Sequence, residues 1–275
     1  MTLDLGQRPA VLRSLAYSAK DRRRRQLSQN LLTSSGVKKY LGALGTNTCD
    51  LLVEVGAGRG TLTAELANFA DNVDAFELDP EFAKAASKAT SQLPNVQVHL
   101  GDFLGSSVPA TPFTFNFGRK PFHSSRTNEI MRWALAARTL ERAVVITQLE
   151  FARKRAGDYG RWSLATVQSW PTHDWRLVGK ISRHDFRPVP KVDAGILELT
   201  ARPSPLIVHS AMNHYKDLVA LGFGGKGGSL FRSLRPRYSH RTLLRAFSRA
   251  EVPEKTVVAF VHPDQWLQIF NQLEP

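Results

Sequence analysis

Cysteine is almost absent from this chain, which contains one, Cys49, in 275 residues. A single cysteine cannot form an intramolecular disulfide or a cysteine-rich zinc site, so we expect neither a metal centre nor redox chemistry. Cys49 itself is interpreted as a core thiol beside a strand.

Long apolar runs are also missing. No stretch approaches the roughly 18 consecutive apolar residues of a membrane-spanning helix, and Met1 to Arg25 holds no apolar run of signal-peptide type. We therefore expect a cytoplasmic protein that does not enter a membrane. With 42% apolar and 22% charged residues, the composition is that of an ordinary folded protein.

Acidic residues are scarce relative to basic ones. There are 24 Asp and Glu against 37 Lys and Arg, which gives a formal charge of +13. This excess predicts a polyanionic partner, nucleic acid first, although a basic surface without a ligand is the alternative. The charge is bunched, and the clusters are Arg22, Arg23, Arg24, Arg25; Arg153, Lys154, Arg155; and Arg232, Arg235, Arg237, Arg241, Arg245. None of them lies opposite a broad apolar face, which argues against a membrane surface.

Strand and helix patterns alternate through the first two thirds of the chain. The apolar run 51–55 ends in the glycine loop 56–60, and Leu62, Leu66 and Phe69 then follow at helical spacing. Similar patterns predict strands at 73–77, 96–99, 113–117, 143–149, 175–182 and 192–199, and helices at 80–91 and 128–138. Strands separated by helices predict an α/β fold with a mostly parallel sheet.

The pattern changes after Leu199. Residues 201–205 are a candidate linker, and beyond them only helical spacing is found. We predict a basic arm at 1–25, an α/β domain at 26–205 and a helical domain at 206–275. The glycine-rich segment 223–228 is either a phosphate-contacting loop or an ordinary turn between helices.

Three features predict a nucleoside-binding site. Gly56 and Gly58 follow the first strand, Glu77 ends the next, and Asp102 follows the third. Glycines let the backbone approach a ligand, and an acid about 20 residues further on accepts hydrogen bonds from a ribose diol. Asp102 is suited to an adenine amino group, which favours S-adenosylmethionine over NAD. The alternative is that both acids are surface carboxylates at strand ends.

Together with these features, further motifs carry a family resemblance. The chain resembles the erythromycin-resistance (Erm) 23S rRNA adenine-N6 methyltransferases of actinomycetes, which are related to the KsgA-type 16S rRNA dimethyladenosine enzymes. The matching segments are 22–32, 54–60, 76–79, 101–103, 147–162 and 186–193. The resemblance implies a Rossmann-like class I methyltransferase domain with a mostly parallel seven-stranded sheet, followed by a small helical domain that contacts RNA.

The resemblance also implies roles for individual residues. Asn30 and Leu32 would line the methionine end of S-adenosylmethionine, Gly56 and Gly58 would pass beneath it, Glu77 would hold the ribose, and Asp102 would hold the adenine. For Asn30 the alternative is a helix cap. The clusters Arg22–Arg25 and Arg153–Arg155 would grip rRNA phosphates.

The catalytic motif departs from the family pattern. Family members carry Gly-Asn-(Ile/Leu)-Pro-(Tyr/Phe), whose oxygens accept hydrogen bonds from the adenine N6 amino group, whereas residues 118–122 read Gly-Arg-Lys-Pro-Phe. Arg119 offers only donors. Either Asn116 supplies the acceptor, or backbone carbonyls suffice, or the site is impaired; Asn116 could instead be an ordinary strand residue. Phe122 matches the position that stacks on the flipped base.

The function that the resemblance implies is N6-methylation of one adenine in the peptidyl-transferase loop of 23S rRNA by a monomeric enzyme. The result would be resistance to macrolide, lincosamide and streptogramin B antibiotics. The alternatives are a KsgA-like enzyme for 16S rRNA and an RNA-binding homologue without activity, which Arg119 favours. A nicotinamide-dependent oxidoreductase has no use for the basic clusters.

Overall fold

The computed structural model describes residues 30–117, 124–225 and 228–274. A seven-stranded sheet forms the centre of this part of the chain, with its strands in the order β3-β2-β1-β4-β5-β7-β6. Strands β1 to β5 run parallel, and β7 lies antiparallel between β5 and β6. The bounds are β1 Cys49–Val55, β2 Ala70–Glu77, β3 Val96–Leu100, β4 Phe113–Phe117, β5 Leu140–Gln148, β6 His173–Ile181 and β7 Ala194–Ala201.

Side-chain caps mark where several helices begin. Thr33 caps α1, and Asp79 caps α3, whose first residue is Pro80. The helices are α1 Ser34–Leu44, α2 Thr61–Leu66, α3 Pro80–Ala89, α4 Ser124–Ala136, α5 Leu149–Arg155, α6 Leu164–Ser169, α7 Met212–Gly224, α8 Leu230–Leu234, α9 His240–Arg249 and α10 Pro263–Leu273. None of the helices among the described residues is both long and apolar enough to span a membrane.

Two apolar clusters cover the two faces of the sheet. One includes α1, α2 and α3 residues together with Val144 and Ile146 of β5. The other includes α4 and Val145 of β5, and it continues into the C-terminal helices. Both faces are therefore covered at the centre of the sheet, which explains the buried apolar runs of β1 and β5.

The C-terminal helices pack on the sheet domain through specific hydrogen bonds. Trp170 Nε1 donates to Asp264 Oδ1 at 2.7 Å, and the Tyr215 hydroxyl donates to Val167 O at 3.0 Å. The predicted helical character beyond residue 206 is confirmed. The domain boundaries remain predictions, because one apolar cluster runs through both regions.

The predicted strands and helices are present, with shifted ends. The strand expected at 143–149 spans Leu140–Gln148, and the helix expected at 128–138 begins at Ser124. Five elements were not predicted from the spacing of residues: α1, α5, α6 and two short strands, Leu31–Leu32 and Phe186–Arg187, which pair antiparallel.

Gly60 closes the loop after β1 and provides a stability prediction. Its φ is +82°, and a Cβ there would lie 2.9 Å from Ala86 Cα in α3. We expect Gly60→Ala to lower the free energy of unfolding by about 3 kcal/mol, since left-handed backbone and backbone overlap both add cost. Urea denaturation measures this change.

The control is Gly42→Ala within α1, where an added Cβ meets nothing within 4 Å. It should raise the free energy of unfolding by about 0.5–1 kcal/mol, because alanine is the better helix former. Equal effects of the two substitutions would contradict the proposed overlap with α3.

Candidate active site at the carboxyl edge of the sheet

The glycine loop 56–60 follows the carboxyl end of β1, and its backbone has the positive φ values that favour glycine. Gly56 and Gly58 have φ values of +85° and +62°. The amides of Gly56 and Ala57 both donate to Phe76 O of β2, at 2.8 and 3.1 Å. A Cβ on Gly58 would lie 2.9 Å from Leu31 Cδ2, so the loop passes close beneath the Leu31–Leu32 strand.

Glu77 joins this loop to the end of β2. Its side chain is 1% exposed, and its Oε2 accepts a hydrogen bond from Gly58 N at 2.8 Å. Its Oε1 accepts from Asp79 N at 3.0 Å. These two contacts hold the glycine loop in position beside the end of β2.

Asp102 follows β3 at the same edge. Gly101 N donates to Glu77 O at 3.0 Å, which brings the ends of β2 and β3 together. Asp102 is exposed, and its Oδ1 accepts from Leu104 N at 3.1 Å, which begins a short 3-10 turn over Phe103–Gly105. The three predicted elements of the nucleoside site therefore lie on adjacent strand ends.

Asn30 and Leu32 complete one pocket with the glycine loop. Its lining residues are Asn30, Leu31, Leu32, Val37, Glu54, Gly56, Ala57, Gly58, Arg59, Thr61 and Leu62. The alternative for Asn30, a helix cap, is wrong, because Thr33 Oγ1 caps α1 by accepting from Gly36 N.

Glu54 is a pocket residue to which the sequence analysis gave no role. It is 1% exposed near the end of β1, and its Cα pairs in register with that of Asn116 in β4. Glu54 lines the pocket together with the glycine loop, which makes it a candidate contact for a bound ligand. The available signal was a lone acid within the apolar strand 51–55.

The loop that contains residues 186–193 flanks this pocket. Its strand Phe186–Arg187 pairs with Leu31–Leu32, and Thr33 N donates to Asp185 O at 2.8 Å. Lys39 Nζ lies 2.6 Å from Asp185 Oδ2, and this hydrogen bond lowers the pKa of the Asp185 carboxyl. Segment 186–193, which carries part of the family resemblance, is thus joined to the strand that contains Leu32.

Asn116 lies inside the sheet. It is 0% exposed, and its Oδ1 accepts from the Tyr40 hydroxyl at 2.6 Å, which also lies 2.9 Å from Val144 O. Burial first, and the Glu54 carboxylate second, raise the pKa of Tyr40, so its hydroxyl stays a donor. A catalytic role for Asn116 remains a prediction, and this geometry favours the alternative of a strand residue.

Two of the three basic side chains on α5 contact other residues of the protein. Arg155 donates to Ser163 Oγ at 2.9 Å and to Asn128 Oδ1 at 2.8 Å, and burial lowers the pKa of its guanidinium. Arg153 pairs with Asp158 at 3.0 Å. Lys154 is exposed, so of the three it is the side chain best placed for a phosphate.

Three elements of the predicted site lie outside the described residues. They are Phe122, which is predicted to be catalytic, Arg119, which stands where the family motif has asparagine, and the cluster Arg22, Arg23, Arg24, Arg25. Their roles remain predictions.

Comparison with known proteins assigns this arrangement to a family. The family model for ribosomal RNA adenine dimethylase matches residues 20–274. This chain belongs to that family. A Streptomyces fradiae rRNA adenine N-6-methyltransferase is 47% identical over 257 residues, which are 92% of this chain and 80% of that protein.

Two further proteins that resemble this chain bear on its fold and enzyme class. The solved structure of the 23S rRNA methyltransferase ErmE matches with a TM-score of 0.83 and 40% identity, over 90% of this chain and 100% of that one. The mycinamicin-resistance protein MyrB of Micromonospora griseorubida is 30% identical over 255 residues, 90% of this chain and 78% of its own length. The predicted Rossmann-like methyltransferase fold and enzyme class are confirmed, and the oxidoreductase alternative is set aside.

Asn116 gives a prediction that separates a catalytic from a structural role. We expect Asn116→Ala to lower the free energy of unfolding by about 1–2 kcal/mol, because it removes the buried partner of Tyr40. Turnover of the folded variant should stay within about threefold of wild type. Chemical denaturation and single-turnover methylation measure the two effects.

Tyr40→Phe is the matched variant, because it removes the same hydrogen bond from the other side. It should show a similar loss of stability. If the Asn116→Ala enzyme keeps wild-type stability but loses most of its turnover, Asn116 belongs to the catalytic residues.

Proposed function

We propose that this protein transfers a methyl group from S-adenosylmethionine to N6 of one adenine in the peptidyl-transferase loop of 23S rRNA. The observation that carries the proposal is the contact of Glu77 with the glycine loop, which sets nucleoside-binding groups on adjacent strand ends. The 40% identity to the 23S rRNA methyltransferase ErmE, over 90% of this chain, supports 23S rather than 16S rRNA.

The pocket lined by Asn30 and Leu32, together with the neighbouring ends of β2 and β3, offers groups that suit S-adenosylmethionine. Asn30 and Leu32 would hold the methionine end, Glu77 would accept from the ribose hydroxyls, and Asp102 would accept from the adenine amino group. Gly58 lies close to Leu31, so the glycine loop and the Leu31–Leu32 strand form adjoining walls of this pocket. When bound, the cofactor supplies a methyl group on a positively charged sulfur.

The target adenine must leave its base stack to reach this edge of the sheet. Phe122 would stack on the extruded base, and polar oxygens of the segment after β4 would accept from its amino group. Bringing the amine into line with the methyl group supplies much of the rate enhancement, so no strong general base is needed. The arginine clusters would hold the surrounding RNA loop by its phosphates.

The biological role that we propose is resistance to macrolide, lincosamide and streptogramin B antibiotics. The similarity to a mycinamicin-resistance protein supports it. We propose that the enzyme acts as a monomer in the cytoplasm.

The test is transfer of a radiolabelled methyl group to protein-free 23S rRNA, with 16S rRNA in parallel and primer extension to locate the modified base. Label at one adenine of the peptidyl-transferase loop is the expected result. Label on 16S rRNA alone would favour the KsgA-like alternative. No label, with cofactor and RNA both bound, would favour the RNA-binding homologue that Arg119 suggests.

A further inference from the structure

Two exposed aromatic rings stand beside arginines at the far end of α5. Tyr159 is 66% exposed and Phe260 is 48% exposed, and no other large aromatic side chain among the described residues is as exposed. The Arg153 guanidinium lies 5.3 Å from the centre of the Tyr159 ring, and that of Arg161 lies 5.2 Å from the centre of the Phe260 ring. Each ring is thus paired with a cation rather than covered by apolar neighbours.

Tyr159 is held rigidly in this exposed position. Its backbone is left-handed, with φ 61° and ψ 23°, which is unfavourable for any residue with a Cβ. Asp158 Oδ1 accepts from Tyr159 N at 2.9 Å, while its Oδ2 pairs with Arg153. Such strain persists only where the surroundings enforce it, and it is common at functional positions.

Trp162 ties the Tyr159 turn to the segment that carries Phe260. Its ring packs against Gly157, where a Cβ would lie 2.3 Å from the indole. Its backbone amide donates to Ala259 O at 2.8 Å, directly before Phe260. These contacts connect the two segments that carry the exposed rings, and we name Tyr159 and Phe260 together the aromatic platform.

Helix α5 connects the turn of Tyr159 to the carboxyl edge of the sheet. Helix α5 begins at the carboxyl end of β5, the neighbour of β4, and its seven residues span about 10 Å. Residues 153–161 hold four basic side chains and one acidic one, Asp158. Rings interleaved with arginines are the pattern that binds unpaired bases, since every base has a face that can stack.

We propose that the aromatic platform stacks unpaired bases of the rRNA beside the target adenine. This inference rests on the proposed function. It adds a contact that recognises unpaired bases by stacking rather than phosphates by charge. The local excess of positive charge favours RNA over a protein partner for these rings.

The experiment measures binding of full-length protein to an RNA fragment of the peptidyl-transferase loop, at several salt concentrations. Tyr159→Gly and Phe260→Ala should each weaken binding about tenfold, as loss of one base stack does. The slope of log affinity against log salt should not change, because no charge is removed. Tyr159→Gly should also raise the melting temperature, since glycine accepts the left-handed backbone.

Three controls make the result specific. Tyr159→Phe keeps the ring and should bind RNA as wild type. Val108→Ala removes an exposed apolar side chain before the amino end of β4, at the opposite edge of the sheet, and should also bind RNA as wild type. Affinity for S-adenosylmethionine should be unchanged in every variant. Wild-type RNA affinity in Tyr159→Gly and Phe260→Ala, with methylation intact in wild type, would overturn the platform alone. A wild-type protein that binds no rRNA would overturn the proposed function as well.

Discussion

Replacing Glu77 with alanine is expected to weaken binding of S-adenosylmethionine at least about 100-fold. The buried carboxylate accepts from two backbone amides, those of Gly58 and Asp79, and both lose their partner at once. The loss of these two hydrogen bonds loosens the glycine loop. The ribose diol loses its acceptor as well. Each ribose hydroxyl that no longer donates to a charged acceptor costs about 1.5–3 kcal/mol of binding free energy, and each 1.4 kcal/mol is a factor of ten in affinity. Isothermal titration calorimetry with the cofactor measures the change.

Two variants calibrate this result. Glu65→Ala removes an exposed carboxylate from α2 and should leave cofactor affinity unchanged. Glu77→Gln keeps one acceptor oxygen but turns an amide N–H toward a backbone donor, so its loss should be intermediate. A folded Glu77→Ala protein with wild-type cofactor affinity would exclude Glu77 from the cofactor site.

Neutralising Arg22, Arg23, Arg24 and Arg25 together should weaken rRNA binding and flatten its dependence on salt. For single-stranded RNA each phosphate contact contributes about 0.7 to the slope of log affinity against log salt, so four contacts would remove up to about 3 from that slope. Filter binding or fluorescence anisotropy between about 50 and 200 mM salt measures the slope. The four arginines lie outside the described residues, so this experiment tests a prediction from charge alone.

The matched control removes basic residues from a surface away from the proposed RNA path. Lys84 and Lys88 are exposed on α3, which packs near the β2–β3 side of the sheet. Changing both to glutamine should alter the slope much less per charge. An unaltered slope after loss of the four arginines would refute their role in gripping phosphates.

The carboxyl-edge site was largely predictable because its residues follow strand ends at fixed intervals. Gly56, Gly58, Glu77 and Asp102 each come directly after or at the end of an apolar run, and parallel strands bring those ends to one edge. Glu54 and Tyr40 were not predicted as site residues. Their relevance depends on which face of the sheet α1 covers, and spacing along the chain does not contain that information.

Residue chemistry alone did not show which polar side chains already have partners within the fold. Arg155 belongs to a basic cluster in the sequence, yet its guanidinium binds Asn128 and Ser163. Asn116 offers an acceptor in the sequence, yet its oxygen accepts from Tyr40, which is 76 residues away. A hydrogen-bond partner from a distant part of the chain changes what a polar group can do. The order of residues along the chain does not show such partners.

The amino-acid sequence by itself determined the alternation of strands and helices, the glycine loop, the excess of positive charge and the family motifs, because each is a property of composition or of neighbours along the chain. Only the tertiary structure decided the insertion of β7 between β5 and β6, the burial of Glu54 and Asn116, and the contact of Trp162 with the segment that carries Phe260. These depend on contacts between distant segments, where packing and hydrogen bonding select one arrangement among many that the local sequence allows.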